Sequence, residues 1–237
     1  MRQYLSAIYV IARKDLVTEF RSREVLPTMI VLGMLITWIF RLVGESGLIP
    51  QAGMAAAALW IAFLFAGLMA QERCFATEEK QHCLAGLMLC PIDPGVIYLA
   101  KFGANMVILL IFEIVVVPAI GLGFGVRLRV SWWGFTALLL LGNGAISGVG
   151  TLFSALVHVA RARGALLNVL VLVILLPAMI PATLALLLSF GALDGGAGGT
   201  GALALAGNFS TALSYLLVFD VLVITLSWLL FGFLLRE

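Results

Sequence analysis

Residues 72–94, ERCFATEEKQHCLAGLMLCPIDP, gather all three cysteines of a 237-residue chain. They also hold one of its two histidines, four of its twelve acids and two of its fourteen bases. Thiols, an imidazole and carboxylates at that density could hold a metal ion or supply a nucleophile. The spacing argues against both. Cys74, Cys83 and Cys90 stand nine and seven residues apart, which matches no metal motif. His82 follows Glu78 by four residues, the separation of a helix-surface pair. Nucleotide chemistry is excluded on similar grounds. A P-loop needs lysine followed by Ser or Thr, and the only lysines, Lys14, Lys80 and Lys101, are followed by Asp, Gln and Phe. No H-E-x-x-H, G-x-S-x-G or C-x-x-C-H occurs either. The expectation is a non-catalytic chain that binds no cofactor directly.

Two further acids stand out by position. Glu113 and Asp220 lie well inside long apolar stretches. An ionised acid in hydrocarbon costs ~2.5–3.5 kcal/mol, so both should face protein or water rather than lipid. They are candidates for an intramembrane path, or equally for hydrogen-bonded supports of helix packing. Asn105, Asn143 and Asn168 read as hydrogen-bonding glue between helices.

The elements that must position these residues follow from composition. The chain is 63% hydrophobic and 11% charged, with a mean hydropathy of +1.16. Residues 52–70, 132–157, 165–193 and 195–219 contain no charged side chain. Each run is near or above the ~20 apolar residues that carry a helix across about 30 Å of hydrocarbon. Backbone groups in lipid must be satisfied within the segment, so these runs are helices. The expected fold is an all-α integral membrane protein, one transmembrane domain over residues 1–237. Six spans are placed at about 25–43, 52–71, 101–124, 132–157, 164–190 and 205–235. Pro177 and Pro181 should kink or break the fifth. DGGAGGTG, residues 194–201, is a flexible outer connection.

Orientation follows from the bases. Eleven of the fourteen fall in residues 1–24, 72–101, 158–163 and the tail, against Arg41, Arg127 and Arg129 on the alternate side. That asymmetry puts both termini and residues 72–101 in the cytoplasm, where thiols stay reduced and no disulfide is expected. The net charge of +2 points to no nucleic acid. The N-terminus lacks the apolar core of a signal peptide. Instead Leu5, Ile8, Tyr9, Ala12 and Leu16 recur at helical spacing, predicting an amphipathic helix over residues 1–24 at the cytoplasmic interface. A flexible basic tail is the alternative.

Within 72–94, Thr77 can cap a helix, with Glu78 and Glu79 in the first turn where the dipole favours anions. Cys83, Leu84, Leu87 and Met88 form an apolar stripe, and Pro91 ends the helix. Asp93 and Pro94 start a second helix, which carries Tyr98 and Lys101 to the interface and runs into the third span. A helix this short needs a docking partner to be stable.

Residues 72–101, ERCFATEEKQHCLAGLMLCPIDPGVIYLAK, resemble the signature of the haem exporter B family, CcmB, the permease of cytochrome c maturation. That signature runs E-R-x-F-x-x-[ED], then L-x-x-L-x-L-x-P, a second proline and a closing A-K. Glu72, Arg73, Phe75, Glu78, Leu84, Leu87, Leu89, Pro91, Pro94, Ala100 and Lys101 fill those places. RGALLNVLVLVILLPAMIPA, residues 163–182, is similar to the family's start of span five, and ARKDLVTEFRSRE, residues 12–24, to its amphipathic start.

The resemblance implies a type-2-like ABC permease whose 72–94 segment is the coupling helix. On this reading Glu72 and Arg73 anchor the junction with span two. Glu78, Glu79 and Pro91 shape the helix, while Phe75, Leu84 and Leu87 fill a groove on a separate CcmA-like ATPase subunit, which holds the ATP. The other implied partners are CcmC- and CcmD-like membrane proteins and a CcmE-like haem chaperone, with haem as the substrate of the pathway. Cys90-Pro91 has the form of a haem-ligating dipeptide, but Pro91 already has a helix-stopping role. The alternatives are a type-2 permease for another amphiphile such as a drug or lipid, an ion-coupled carrier using Glu113 and Asp220, and a non-transporting scaffold.

Overall fold

The computed structural model describes residues 2–47, 49–74, 94–159, 164–192 and 208–234. Among them the regular secondary structure is all α-helix. The order is α1 (Arg2–Ser22), α2 (Val25–Gly44), α3 (Gln51–Arg73), α4 (Pro94–Phe124), α5 (Trp132–Val159), α6 (Gly164–Ser189) and α7 (Phe209–Leu234). Six of these, α2 to α7, are long and apolar enough to cross a membrane. The chain is therefore an all-α integral membrane protein.

Helix α5 is the hub. It packs against α3, α4, α6 and α7, and 78% of its membrane window is buried, against 22–56% for the other five. Its sequence explains this position. Gly142, Gly144, Ala145, Ser147, Gly148, Gly150, Thr151, Ser154 and Ala155 keep its surface low, and small residues let helix backbones approach where lipid supplies no hydrophobic drive. The outer helices instead turn large side chains to lipid, including Trp38 on α2, Val173 on α6 and Leu229 on α7.

Helix α1 packs on α4 and touches α2. Its part-buried residues, Ala7, Ile8, Ile11, Ala12, Asp15, Leu16 and Glu19, recur at the α-helical period. This face is rotated from the stripe expected from sequence. Tyr9 is 67% exposed, and Asp15 and Glu19 take places on the packed side. Arg23 then adopts a left-handed backbone, φ 52°, and donates its N–H to Glu19 O. This is an αL cap that turns the chain into α2.

The helix that opens at Pro94 runs unbroken into the third span, as expected. Two other expectations are refined. Tyr98 and Lys101 are 0% and 1% exposed, so both point into protein rather than to the interface. Pro177 and Pro181 remove backbone donors but do not break α6, which is helical throughout. Pro118 likewise lies inside α4.

Candidate functional site

The two ends of the 75–93 segment meet at the foot of the bundle. Cys74 follows the last turn of α3, and Pro94 opens α4. Lys101, two turns into α4, donates to the Cys74 carbonyl at 2.6 Å. It also lies 3.2 Å from Asp15 Oδ2 on α1. A lysine this buried requires a counter-charge and acceptors, and both are present. One ammonium thus joins α1, α3 and α4.

A second layer of polar contacts ties these helices to α5. Asn105 Nδ2, one turn above Lys101, lies 3.1 Å from Gln71 Oε1 and 3.1 Å from Thr151 Oγ1. Cys74 Sγ stands at 3.4 Å, so the amide faces more acceptors than its two hydrogens fill at once. Ser154 Oγ donates to Gln71 O at 2.8 Å. Tyr98 donates to Gly148 O at 3.2 Å and Ser147 to Phe102 O at 3.0 Å. Gln71 reaches α5 because Gly150 lacks a side chain; a Cβ there would collide with the Gln71 amide.

The outer side of the foot is more open. Arg73 Nη1 donates to Glu24 Oε2 at 2.6 Å, an ion pair with its members 45% and 63% exposed. Between α1 and the spans lies a cavity of about 50 Å³, lined in part by Asp15, Glu19, Arg73, Lys101 and Asn105. Glu19 Oε1 is buried here without a hydrogen-bond partner. Burial pushes the Glu19 carboxyl above its ordinary range, against the opposing pull of Arg73. An open groove of about 490 Å³ beside it is lined by Glu24, Pro27, Met69, Glu72 and Arg73, where the chain leaves α3.

Glu72 and Arg73, both exposed, stand at this junction. Phe75, Glu78, Glu79, Leu84, Leu87 and Pro91 lie outside the described residues, as do His82, Cys83 and Cys90. Asp15, Gln71, Thr151 and Ser154 were missed by the sequence reading. A signal existed for Asp15, which continues the helical period of Ile8, Ile11 and Ala12. Gln71 and the Thr151–Ser154 pair carried none beyond polarity at the ends of apolar runs.

The two intramembrane acids come to one level of α5. Asp220 on α7 lies over Gly144, where an added Cβ would sit 2.7 Å from Asp220 Oδ2. Glu113 on α4 faces Asn143, and the Trp60 ring of α3 lies on Gly142. Glu113, Asn143 and Asp220 are 6%, 1% and 5% exposed. Yet Glu113 Oε1, Asp220 Oδ1 and both polar atoms of Asn143 lack hydrogen-bond partners. Asn105 is the interhelical glue its sequence context suggested, and Asn143 lies against Glu113 across α4 and α5. The side chain of Asn168 lies outside the described residues. Among the described residues no group of three or more His, Cys, Asp or Glu is placed to hold a metal ion.

A comparison with curated proteins gives no match. The family model described as CcmB protein, by contrast, matches residues 6–220, from the packed face of α1 through the intramembrane acid of α7. A match that spans the foot, the hub helix and nearly all of the described spans leaves one assignment: the chain belongs to the CcmB family, membrane subunits of an ABC transporter of cytochrome c biogenesis.

Proposed function

We propose that this chain is the permease subunit that converts ATP hydrolysis on a separate, CcmA-like subunit into release of the haem-loaded chaperone. It works in the inner membrane with both termini cytoplasmic, beside CcmC- and CcmD-like proteins and a CcmE-like chaperone. It performs no catalysis itself. The supporting observation is the position of Lys101, two turns into the helix that follows the 75–93 segment and bonded both to Cys74 O, where the segment begins, and to Asp15 on α1. A load applied to that segment enters at Cys74 and Pro94. A flexible attachment would absorb it. Here Lys101 carries it to α1, and the Gln71–Asn105–Thr151 contacts carry it to α5. Closure of the ATPase would therefore move the N-terminal helix, α3, α4 and the hub together. Glu72 and Arg73 anchor the junction, Glu78, Glu79 and Pro91 shape the docking helix, and Phe75, Leu84 and Leu87 enter the partner's groove.

Two experiments separate the parts of this reading. Deleting the gene and staining for c-type cytochromes should abolish the haem signal; normal cytochromes would remove the haem pathway but leave the ABC assignment. Leu87→Asp places a charge in the docking stripe and should strip the ATPase from the detergent-purified complex. Unchanged co-purification would refute the docking role.

A further inference from the structure

We propose that Glu113 and Asp220, with Asn143, form a proton-binding site at the centre of the bundle. Four observations carry it. First, four buried polar atoms on these residues lack a well-formed hydrogen bond, although the Asn143 amide stands against Glu113, and one unsatisfied group in a protein interior costs about 1–3 kcal/mol. Second, among the described residues no base faces the two acids. Lys101 on α4 is twelve residues below Glu113, about 18 Å along the helix, and is already bonded to Asp15 and Cys74 O. Arg41 on α2 is engaged at the outer end with Gly123 O and Glu45. Glu72 and Arg73 close the cytoplasmic end of α3. The described side chains of α5 and α6 include no charged residue, and α7 adds only Tyr215, 48% exposed, beside Asp220. Tyr98 on α4 is bonded to Gly148 O.

Third, two ionised carboxylates without a base would each cost ~2.5–3.5 kcal/mol in hydrocarbon. Fourth, the packing selects the ligand. Gly142 has the Trp60 ring upon it, and a Cβ on Gly144 would meet Asp220 Oδ2 at 2.7 Å, so the layer has no room for one extra methyl group there. A hydrated metal ion or an organic cation needs more space than that. A proton needs none, and it turns an unpartnered acceptor into a hydroxyl donor aimed at its neighbours. The reaction is one proton taken up per carboxylate from water and returned to water, with no other bond changed. Because α3, α4 and α7 meet at this turn of α5, any motion that parts them admits water and alters the occupancy. The site stands independently of the haem reading.

The test uses the full-length chain within its complex in lipid nanodiscs. Infrared difference spectra between alkaline and neutral buffer should show protonated-carboxyl bands. Glu113→Gln should remove one component and Asp220→Asn another. Bands that survive both substitutions would overturn the proposal. A shift on replacing choline by sodium at constant pH would overturn it in favour of a metal ion. If neither variant folds, the native protein still decides. A hydrophobic carbodiimide, which attacks protonated carboxyls in apolar surroundings, should label Glu113 and Asp220 at neutral pH and lose both on alkalinisation. Peptide mapping that finds neither residue labelled would refute the site.

Discussion

Lys101 Nζ lies 3.2 Å from Asp15 Oδ2 across 86 residues of sequence, and the lysine is 1% exposed while the aspartate side chain is 18% exposed. The pair is asymmetric: the base is sealed in protein, and the acid keeps contact with water. An acid left alone can rehydrate, but a base left alone cannot. The two single substitutions should therefore differ.

Asp15→Asn strands a buried ammonium and should cost ~3 kcal/mol, the low end for breaking a buried pair because the Cys74 carbonyl remains. Lys101→Met replaces the stem with an apolar chain of similar length and should cost less. The double variant should be more stable than the sum of the singles implies. Unfolding midpoints in one detergent test the order. A milder Asp15→Asn than Lys101→Met would mean that the ammonium is hydrated from the adjoining cavity.

The Gln71–Asn105–Thr151 layer makes a different prediction. Interhelical hydrogen bonds in membranes average ~0.6 kcal/mol, because unfolded-state helices find other partners. Asn105→Ala, which removes two of them, should therefore cost only about 1 kcal/mol. Gly150→Ala removes no bond, but it drives a methyl into the Gln71 amide and should cost about 2 kcal/mol as an overpacked core. The smaller chemical change should thus be the more damaging. Equal effects would show that α3 can slide along α5.

What the sequence disclosed and what it hid divide along a physical line. The energy of placing a segment in lipid is a sum over local residues, so the uncharged runs located the bundle without knowledge of any neighbour. The rotation of each helix depends on its partners. Tyr9 belonged to the apolar stripe by spacing alone, yet Ile11 and Asp15 took the packed face because α4 offers them a buried surface and a buried lysine. Lys101 read as an interfacial base for the same reason, since nothing local revealed Asp15 as its counter-charge. Glu113 and Asp220 were visible as acids in apolar runs. Their shared level on α5 was not, because it depends on the register of three helices.

The Arg73–Glu24 pair, at 2.6 Å, is shorter than the Lys101–Asp15 pair at 3.2 Å and should nevertheless be the weaker in stability. Both members are largely exposed, so Coulomb attraction is screened and side-chain ordering offsets it. Glu24→Gln should cost at most about 1 kcal/mol, and the cost should vanish in high salt. The measurement is the unfolding midpoint of wild type and variant at low and high ionic strength. A loss as large as that of Asp15→Asn, unaffected by salt, would mean the pair is covered by 75–93 or by a partner.

Glu19 supplies the pH dependence. Its carboxyl is raised above the ordinary value of 4.5, chiefly by burial and against the pull of Arg73. An acid raised in the folded state binds its proton more tightly there than in the unfolded chain. Stability is therefore greatest below the unfolded value and falls as pH rises through the window between the two values. Above the folded value the full penalty is present, because an ionised Glu19 has one oxygen buried without a hydrogen-bond partner. Glu19→Gln removes that charge while keeping the shape. The variant should melt higher than wild type at neutral and alkaline pH, and the difference should close as pH falls below about 4.5. Thermal unfolding of both proteins across that range gives the sign directly. A variant less stable at alkaline pH would instead make the Arg73 attraction dominant over burial, and Glu19 a partner in the ion pair that ties α1 to the end of α3.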